Sequence, residues 1–147
     1  MKLGFTGTQE GMQTCQLHEL REWVFQNVYD IEEFHHGCCV GADTQAHLLM
    51  FDVLSSAYDL ESIATVMHYH PPIITDKMSD LREFPGTWHK PAPYPVRNRD
   101  IVDACDILFA GPKSNTEAIR SGTWSTVRYA RSTGKAVKVL KRWEVKQ

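Results

Sequence analysis

Four short stretches of this chain carry residue types suited to gripping a phosphate. Thr6-Gly7-Thr8 sets a glycine between two hydroxyls. The glycine permits close backbone approach, and the hydroxyls and free N–H groups suit phosphate or ribose oxygens. In His36-Gly37-Cys38-Cys39-Val40-Gly41-Ala42-Asp43, two glycines bracket a turn and an acid enters the segment beyond it. There Asp43 either accepts from a ribose hydroxyl or holds the first-turn amides of a helix. Arg97-Asn98-Arg99 spaces two cations two residues apart, so on a helix one turns to a site and the other to solvent or to Asp100 or Asp103. Guanidinium is the side chain best matched to bidentate phosphate recognition. Ser121-Gly122-Thr123-Trp124 is a small-residue turn ahead of an amphipathic run, the pattern of an anion site at a helix N-terminus. Trp124 either stacks on a base or packs in the core. Glu117, just before this turn, is either an acid that meets a ligand or a plain loop residue.

His35, His36, Cys38 and Cys39 invite a zinc reading. Sequence neighbours on a strand point to opposite faces, however, and no second ligand pair has zinc-like spacing. The expectation is therefore no metal and no resident cofactor. The other two cysteines, Cys15 and Cys105, are far apart in sequence. With Met1-Lys2-Leu3-Gly4 reading as the start of a strand rather than a leader, reduced thiols in a cytoplasmic protein are expected.

These loops need strands and helices to hold them. Residues 3–6 read as a short buried strand, followed by a helix with Leu17, Leu20, Val24 and Val28 on one stripe. Residues 33–36 read as a second strand. A second helix after Gly41 carries Ala46, Leu49, Met50, Val53 and Ala57. Residues 62–69 are β-rich and stop at His70-Pro71-Pro72. Six prolines in residues 71–95 predict a long loop, either a lid over the site or a surface excursion, with one helical turn near Met78 and Leu81. A short helix over 94–104, an apolar strand over 106–110, a helix from Gly122 to Arg131 closed by Gly134, and a strand over 136–140 complete the chain.

That alternation predicts an α/β, single-domain, Rossmann-like parallel sheet with helices on both faces, spanning 1–147. Ligands in such sheets bind beyond the C-terminal ends of the strands. The loops at 6–11, 36–43, 70–72, 110–113 and 121–124 therefore form the site. His36 and His70 join Gly41, Ala42 and the phosphate-gripping residues as candidate contacts. A length of 147 residues, 42% of them hydrophobic, is enough to bury a core without disulfide staples. The formal charge of −2 argues against a broad nucleic-acid footprint, and no apolar run reaches the length of a membrane span.

The GFTGT opening, HHGCCVGAD, HPP, PVRNRDIVD and RSGTWSTVRYAR, taken in order, resemble the SLOG superfamily. These are Rossmann-like nucleotide-binding domains that include the Lonely Guy phosphoribohydrolases and the DNA-processing protein A. The likeness extends from Leu3 to Leu140 and is nearest to small free-standing bacterial and phage members. It implies that Thr6, Gly7, Thr8, the 41–43 turn, Arg97 and the 121–123 turn surround a nucleoside phosphate. Members of the Lonely Guy type carry a glutamate three residues after the Gly-Thr pair, and here Thr126 stands there. A hydroxyl cannot replace a carboxylate in supporting an oxocarbenium-like sugar. The resemblance thus implies capture of a nucleotide or NAD-derived signal without turnover, as by a sensor or a phage sponge. The competing reading is a nucleoside 5′-monophosphate phosphoribohydrolase using Glu117 or Asp43. By the same analogy the protein is a homodimer or homotetramer.

Overall fold

The computed structural model describes residues 1–145. In β1 (Lys2–Gly7) the side chains alternate, as strand geometry requires. Leu3 and Phe5 are fully buried on one face. On the other, Gly4 leaves room for Cys105 and Ile101, since a Cβ there would lie 2.8 Å from the Cys105 sulfur. The remaining strands are β2 (Glu33–His36), β3 (Met67–Tyr69), β4 (Thr87–Trp88), β5 (Ile107–Gly111) and β6 (Ala136–Val139). They form one six-stranded sheet in the order β4-β3-β2-β1-β5-β6. Every pairing is parallel.

Five helices connect them: α1 (Thr14–Gln26), α2 (Ala42–Ser55), α3 (Leu60–Val66), α4 (Tyr94–Ala104) and α5 (Gly122–Ser132). Leu20 and Val24 of α1 and Ala46, Met50 and Val53 of α2 bury against Leu3, Phe5, Phe34 and Phe109 on one face. Ile101 and Val102 of α4 and Trp124, Val127 and Ala130 of α5 pack on Leu108 and Ala110 on the other. The predicted α/β architecture with helices on both faces is the one observed. The chain winds outward from β1 in one direction through β2 and β3, then returns to its other side with β5. The crevice between the C-terminal ends of β1 and β5 is the topological switch point.

Two expectations fail. Residues 62–69 were expected to form one strand, but 60–66 is the helix α3. Asp59 caps it by accepting the Ser62 amide at 2.9 Å, and Ile63 and Val66 turn inward at helical spacing. Capping and burial override the β-preference of Ile63, Thr65 and Val66. Residues 71–95 contain no helix at Met78, only single turns in which the Met78 amide donates to the Thr75 carbonyl at 3.1 Å and the Phe84 amide to the Leu81 carbonyl at 3.0 Å. Met78 instead bridges Cys39 in antiparallel fashion, and the Ser79 amide donates to the Cys38 carbonyl at 2.8 Å. The segment also supplies β4, and its Leu81 is buried.

A buried histidine pair lies between α2 and β2. The Cys38 amide donates to His36 Nδ1 at 3.1 Å, so the ring proton sits on Nε2 and is donated to His47 Nδ1, also 3.1 Å away. His47 then carries its own proton on Nε2, which is buried without a partner. Loss of solvation pushes His47 down to about 4. Because the folded value lies below the ordinary 6.5, the unfolded chain binds the proton first. The contribution is present above the unfolded value and is lost as pH falls through the interval between them. Between about pH 7 and about pH 4.5 this amounts to about 2–3 kcal/mol. His47→Gln keeps an acceptor for His36 but does not titrate. Urea unfolding at those two pH values should therefore show a loss of stability smaller by about that amount in the variant. An identical loss in both proteins would place the acid sensitivity elsewhere.

Candidate functional site

A cavity of about 410 Å³ opens at the switch point. Its floor is the turn after β1. The Thr8 amide donates to the Gly111 carbonyl at 3.0 Å, and the Thr8 carbonyl accepts from Ala42 at 2.9 Å and Gly11 at 3.2 Å. These bonds lock the β1 turn to both β5 and α2. Thr6, Gly7 and Thr8 accordingly line the cavity, joined by Gln9 and Glu10 from the same loop.

The second wall comes from the turn before α2. Asp43 borders the cavity, is buried, and accepts the Cys39 amide at 3.2 Å. Burial pushes its carboxyl up to about 6, against the opposing pull of Arg97. Gly41 and Ala42 do not face the cavity. Gly41 has φ +84°, and a Cβ there would lie 2.2 Å from the Gln9 carbonyl oxygen. Gly7 likewise makes room for the Ala42 methyl, which would stand 2.4 Å from an added Cβ. Their role is the close approach of two loops. His36 is wholly buried in the pair with His47, and the His70 side chain is engaged with His35 at 2.8 Å, so neither lines the cavity.

Helix α4 supplies the cation. Arg97 is buried and borders the cavity, whereas Arg99 is exposed with its guanidinium over the Tyr129 ring. The sequence left open which of the two turns inward; it is Arg97. The Arg97 Nη1 donates to the Gly37 and His70 carbonyls, and Nη2 lies 3.8 Å from the Cys39 sulfur. One arm of the guanidinium fork is thus held by the backbone. Arg97 provides a fixed positive charge rather than a free bidentate clamp. Gly37 leaves the space for it, since a Cβ there would stand 1.9 Å from Nη1. Tyr94 and Asn98 flank the arginine on the cavity wall.

The fourth wall is the N-terminus of α5. Ser121 Oγ accepts the Trp124 amide at 3.2 Å, and the Ser125 amide donates to the Ser121 carbonyl at 2.9 Å. The first-turn amides of Gly122 and Thr123 have no intrahelical acceptor. Both residues, with Ser121, border the cavity. Trp124 is a core residue, packed with Ile101, Val102 and Leu108. Glu117 is exposed, paired with Arg128 at 3.5 Å, and away from the cavity. Thr126 is buried and its hydroxyl donates to the Gly122 carbonyl at 2.8 Å, so its side chain does not open onto the cavity.

Sequence reasoning placed the loops at 6–11 and 110–113 at the site without naming Gln9, Glu10 or Lys113, and it missed Tyr94. Lys113 stands two residues past the end of β5 and lies 3.7 Å from Glu10, both exposed. A cation just past the C-terminal end of a central strand was the signal available for it. Burial pushes the Cys38 and Cys39 thiols up, so neither is a ready thiolate at neutral pH.

A parallel sheet wound both ways from β1, with its cavity at the switch point, is a Rossmann-like fold. No family model and no curated protein matches the sequence. Among solved structures, the chain superposes on a molybdenum cofactor binding protein from the phototrophic bacterium Rippkaea orientalis. The TM-score is 0.65 and the identity 18%, over 97% of this chain and 77% of that one. It also superposes on DNA processing protein A from Streptococcus pneumoniae, with TM-score 0.64, 17% identity, and 94% and 49% of the two chains covered. The corresponding Helicobacter pylori protein, described for its single-stranded DNA binding mode, gives 0.62 and 14% over 97% and 66%. These likenesses establish the fold. No helix among the described residues is long and apolar enough to cross a membrane.

Proposed function

We propose that the cavity captures a nucleotide or NAD-derived signal by its phosphate and releases it unchanged, as a sensor or a phage-encoded sequestering protein would. The observation that carries this reading is the meeting of the free first-turn amides of α5 with the Arg97 charge across one cavity. A helix N-terminus of this kind favours an anion. Support for binding without turnover comes from Thr126, whose hydroxyl is engaged inside α5, and from Glu117, which is paired with Arg128 at the surface.

One observation favours a second reading. Asp43 is a cavity carboxyl pushed up to about 6, within the range of a general acid or base. In a phosphoribohydrolase it would take the part that Thr126 cannot. The two readings part on one experiment. Protein purified from its native host is heat-denatured and the supernatant analysed by mass spectrometry, and separate samples are incubated with AMP and with NAD. Intact nucleotide at about one equivalent, with no free base formed, is the expected outcome. Free base accumulating over many turnovers, and abolished in Asp43→Asn, would establish the enzyme instead. A labelled oligonucleotide belongs in the same panel, because two structural neighbours are DNA-processing proteins. With a net charge of −2, only weak, salt-sensitive association is expected.

A further inference from the structure

Behind the cavity wall, on the β2 side of the sheet, four imidazoles converge from three elements. Parallel pairing sets His35 beside His68, and their rings stack with centroids 4.4 Å apart. The His89 amide donates to the Tyr69 carbonyl at 2.8 Å, which draws His89 alongside His70. Those two rings lie 4.2 Å apart and within 4° of parallel. Glu33 precedes His35 by two residues on β2 and so shares its face. Its carboxylate lies 2.8 Å from His35 Nε2.

That last contact sets the tautomer. An ionised carboxylate only accepts, so His35 carries its proton on Nε2 and presents a bare lone pair at Nδ1. His35 Nδ1 faces His70 Nε2 at 2.8 Å. One ligand nitrogen from each of His35, His70 and His89 lies within 4.8 Å of the other two. A carboxylate behind the distal nitrogen of a converging histidine is the usual outer support of a metal ligand.

We propose that His35, His70 and His89 bind a divalent transition-metal ion of the zinc class, with Glu33 orienting His35 and His68 bracing His89. Three imidazole donors suit such an ion, and a fourth position remains for water. Bonds of about 2.0–2.1 Å in a tetrahedron separate the nitrogens by about 3.3 Å, so on loading the 2.8 Å His35–His70 contact opens by about half an ångström and the stacked His70 and His89 rings rotate out of parallel. Burial holds the His35 and His70 rings neutral at physiological pH, the state that ligation requires. His68 stands 2.9 Å from His89, ring nitrogen to ring nitrogen. His35 and His70 are buried while His89 is half-buried, which gives an ion a way in. The ion would fasten the two-residue edge strand β4 to β2 and β3. It would also hold the His70 turn, whose carbonyl receives Arg97. The proposal stands independently of what the cavity binds.

The test uses the full chain without an affinity tag, stripped with EDTA. Cys15→Ser removes the exposed thiol as a rival ligand. Calorimetric titration with Zn²⁺ should show one equivalent bound, and saturation should raise the melting temperature. Co²⁺ loading should give the intense visible bands of a tetrahedral site. His89→Ala should weaken Zn²⁺ binding at least tenfold, while His18→Ala, at an exposed histidine on α1, should leave it unchanged. Should His89→Ala fail to fold, His70→Asn reads the same loss. The folded parent protein taking up no Zn²⁺, or stoichiometric binding that survives either substitution, would overturn the proposal. The cluster would then be a chain of hydrogen-bonded imidazoles.

Discussion

Gly41→Ala should destabilise the protein by about 3 kcal/mol or more, lowering the melting temperature by roughly 6–12 °C for a chain of this size. The backbone at Gly41 has φ +84° and ψ −125°, a region that L-residues with a Cβ rarely enter. A methyl group there would also stand 2.2 Å from the Gln9 carbonyl oxygen and 2.5 Å from its carbon. Backbone rather than a flexible side chain blocks it, so relief requires the β1–α1 loop to move. That loop is tied by the Thr8 carbonyl to Ala42 and by the Thr8 amide to Gly111. The substitution thus strains the joint on which the cavity floor depends, and binding should fall along with stability. A loss below about 1 kcal/mol in thermal unfolding would mean that the loop yields easily and that the floor is not preformed.

How much of this was legible beforehand differs between fold and site. β1, β2, β5, α2 and α5 were readable because their apolar residues repeat at the period of the element and because glycines punctuate them. Residues 60–66 were not, since β-branched Ile63, Thr65 and Val66 point one way and a single cap at Asp59 points the other. Tertiary burial of Ile63 and Val66 decides the matter. At the site, residues named for their own chemistry (Thr6, Thr8, Asp43, Arg97, Thr123) line the cavity. His36, Gly41, Ala42 and His70 were named for their place in a motif and lie off the cavity, while Trp124 and Glu117, named for their own chemistry, turn out to be a core residue and a surface ion-pair partner. The distinction rests on which face of a turn each side chain takes, and adjacent residues carry no signal for that. The histidine cluster was illegible for a related reason. His35 meets His68 only through the parallel register of β2 and β3, and the expectation of no metal came from comparing His35 with its sequence neighbours instead.

Gly122→Val should leave the fold intact and reduce nucleotide affinity by at least about a hundredfold, close to 3 kcal/mol. A Cβ added at Gly122 meets nothing within 4 Å, and the residue's φ lies outside the positive region. The substitution therefore carries no strain, contrary to what a glycine in a phosphate turn leads one to expect. Ser121 keeps its cap on the Trp124 amide, and valine is no worse a helix residue than glycine. Melting should shift little. Helical Cβ atoms point towards the N-terminus, so the isopropyl group stands over the free first-turn amides and fills the place of the anion. Gly122→Ala, with a single methyl, should weaken binding less, and Arg97→Lys should lower affinity by a different route, keeping charge but losing the guanidinium arm that the Gly37 and His70 carbonyls hold in place. Calorimetry with whichever of AMP and NAD binds the parent protein reads all three. Full affinity in Gly122→Val, with its melting temperature unchanged, would remove the anion from the α5 terminus. The binding reading would then have to rest on Arg97 and Lys113 alone, the two cavity cations at the ends of α4 and β5.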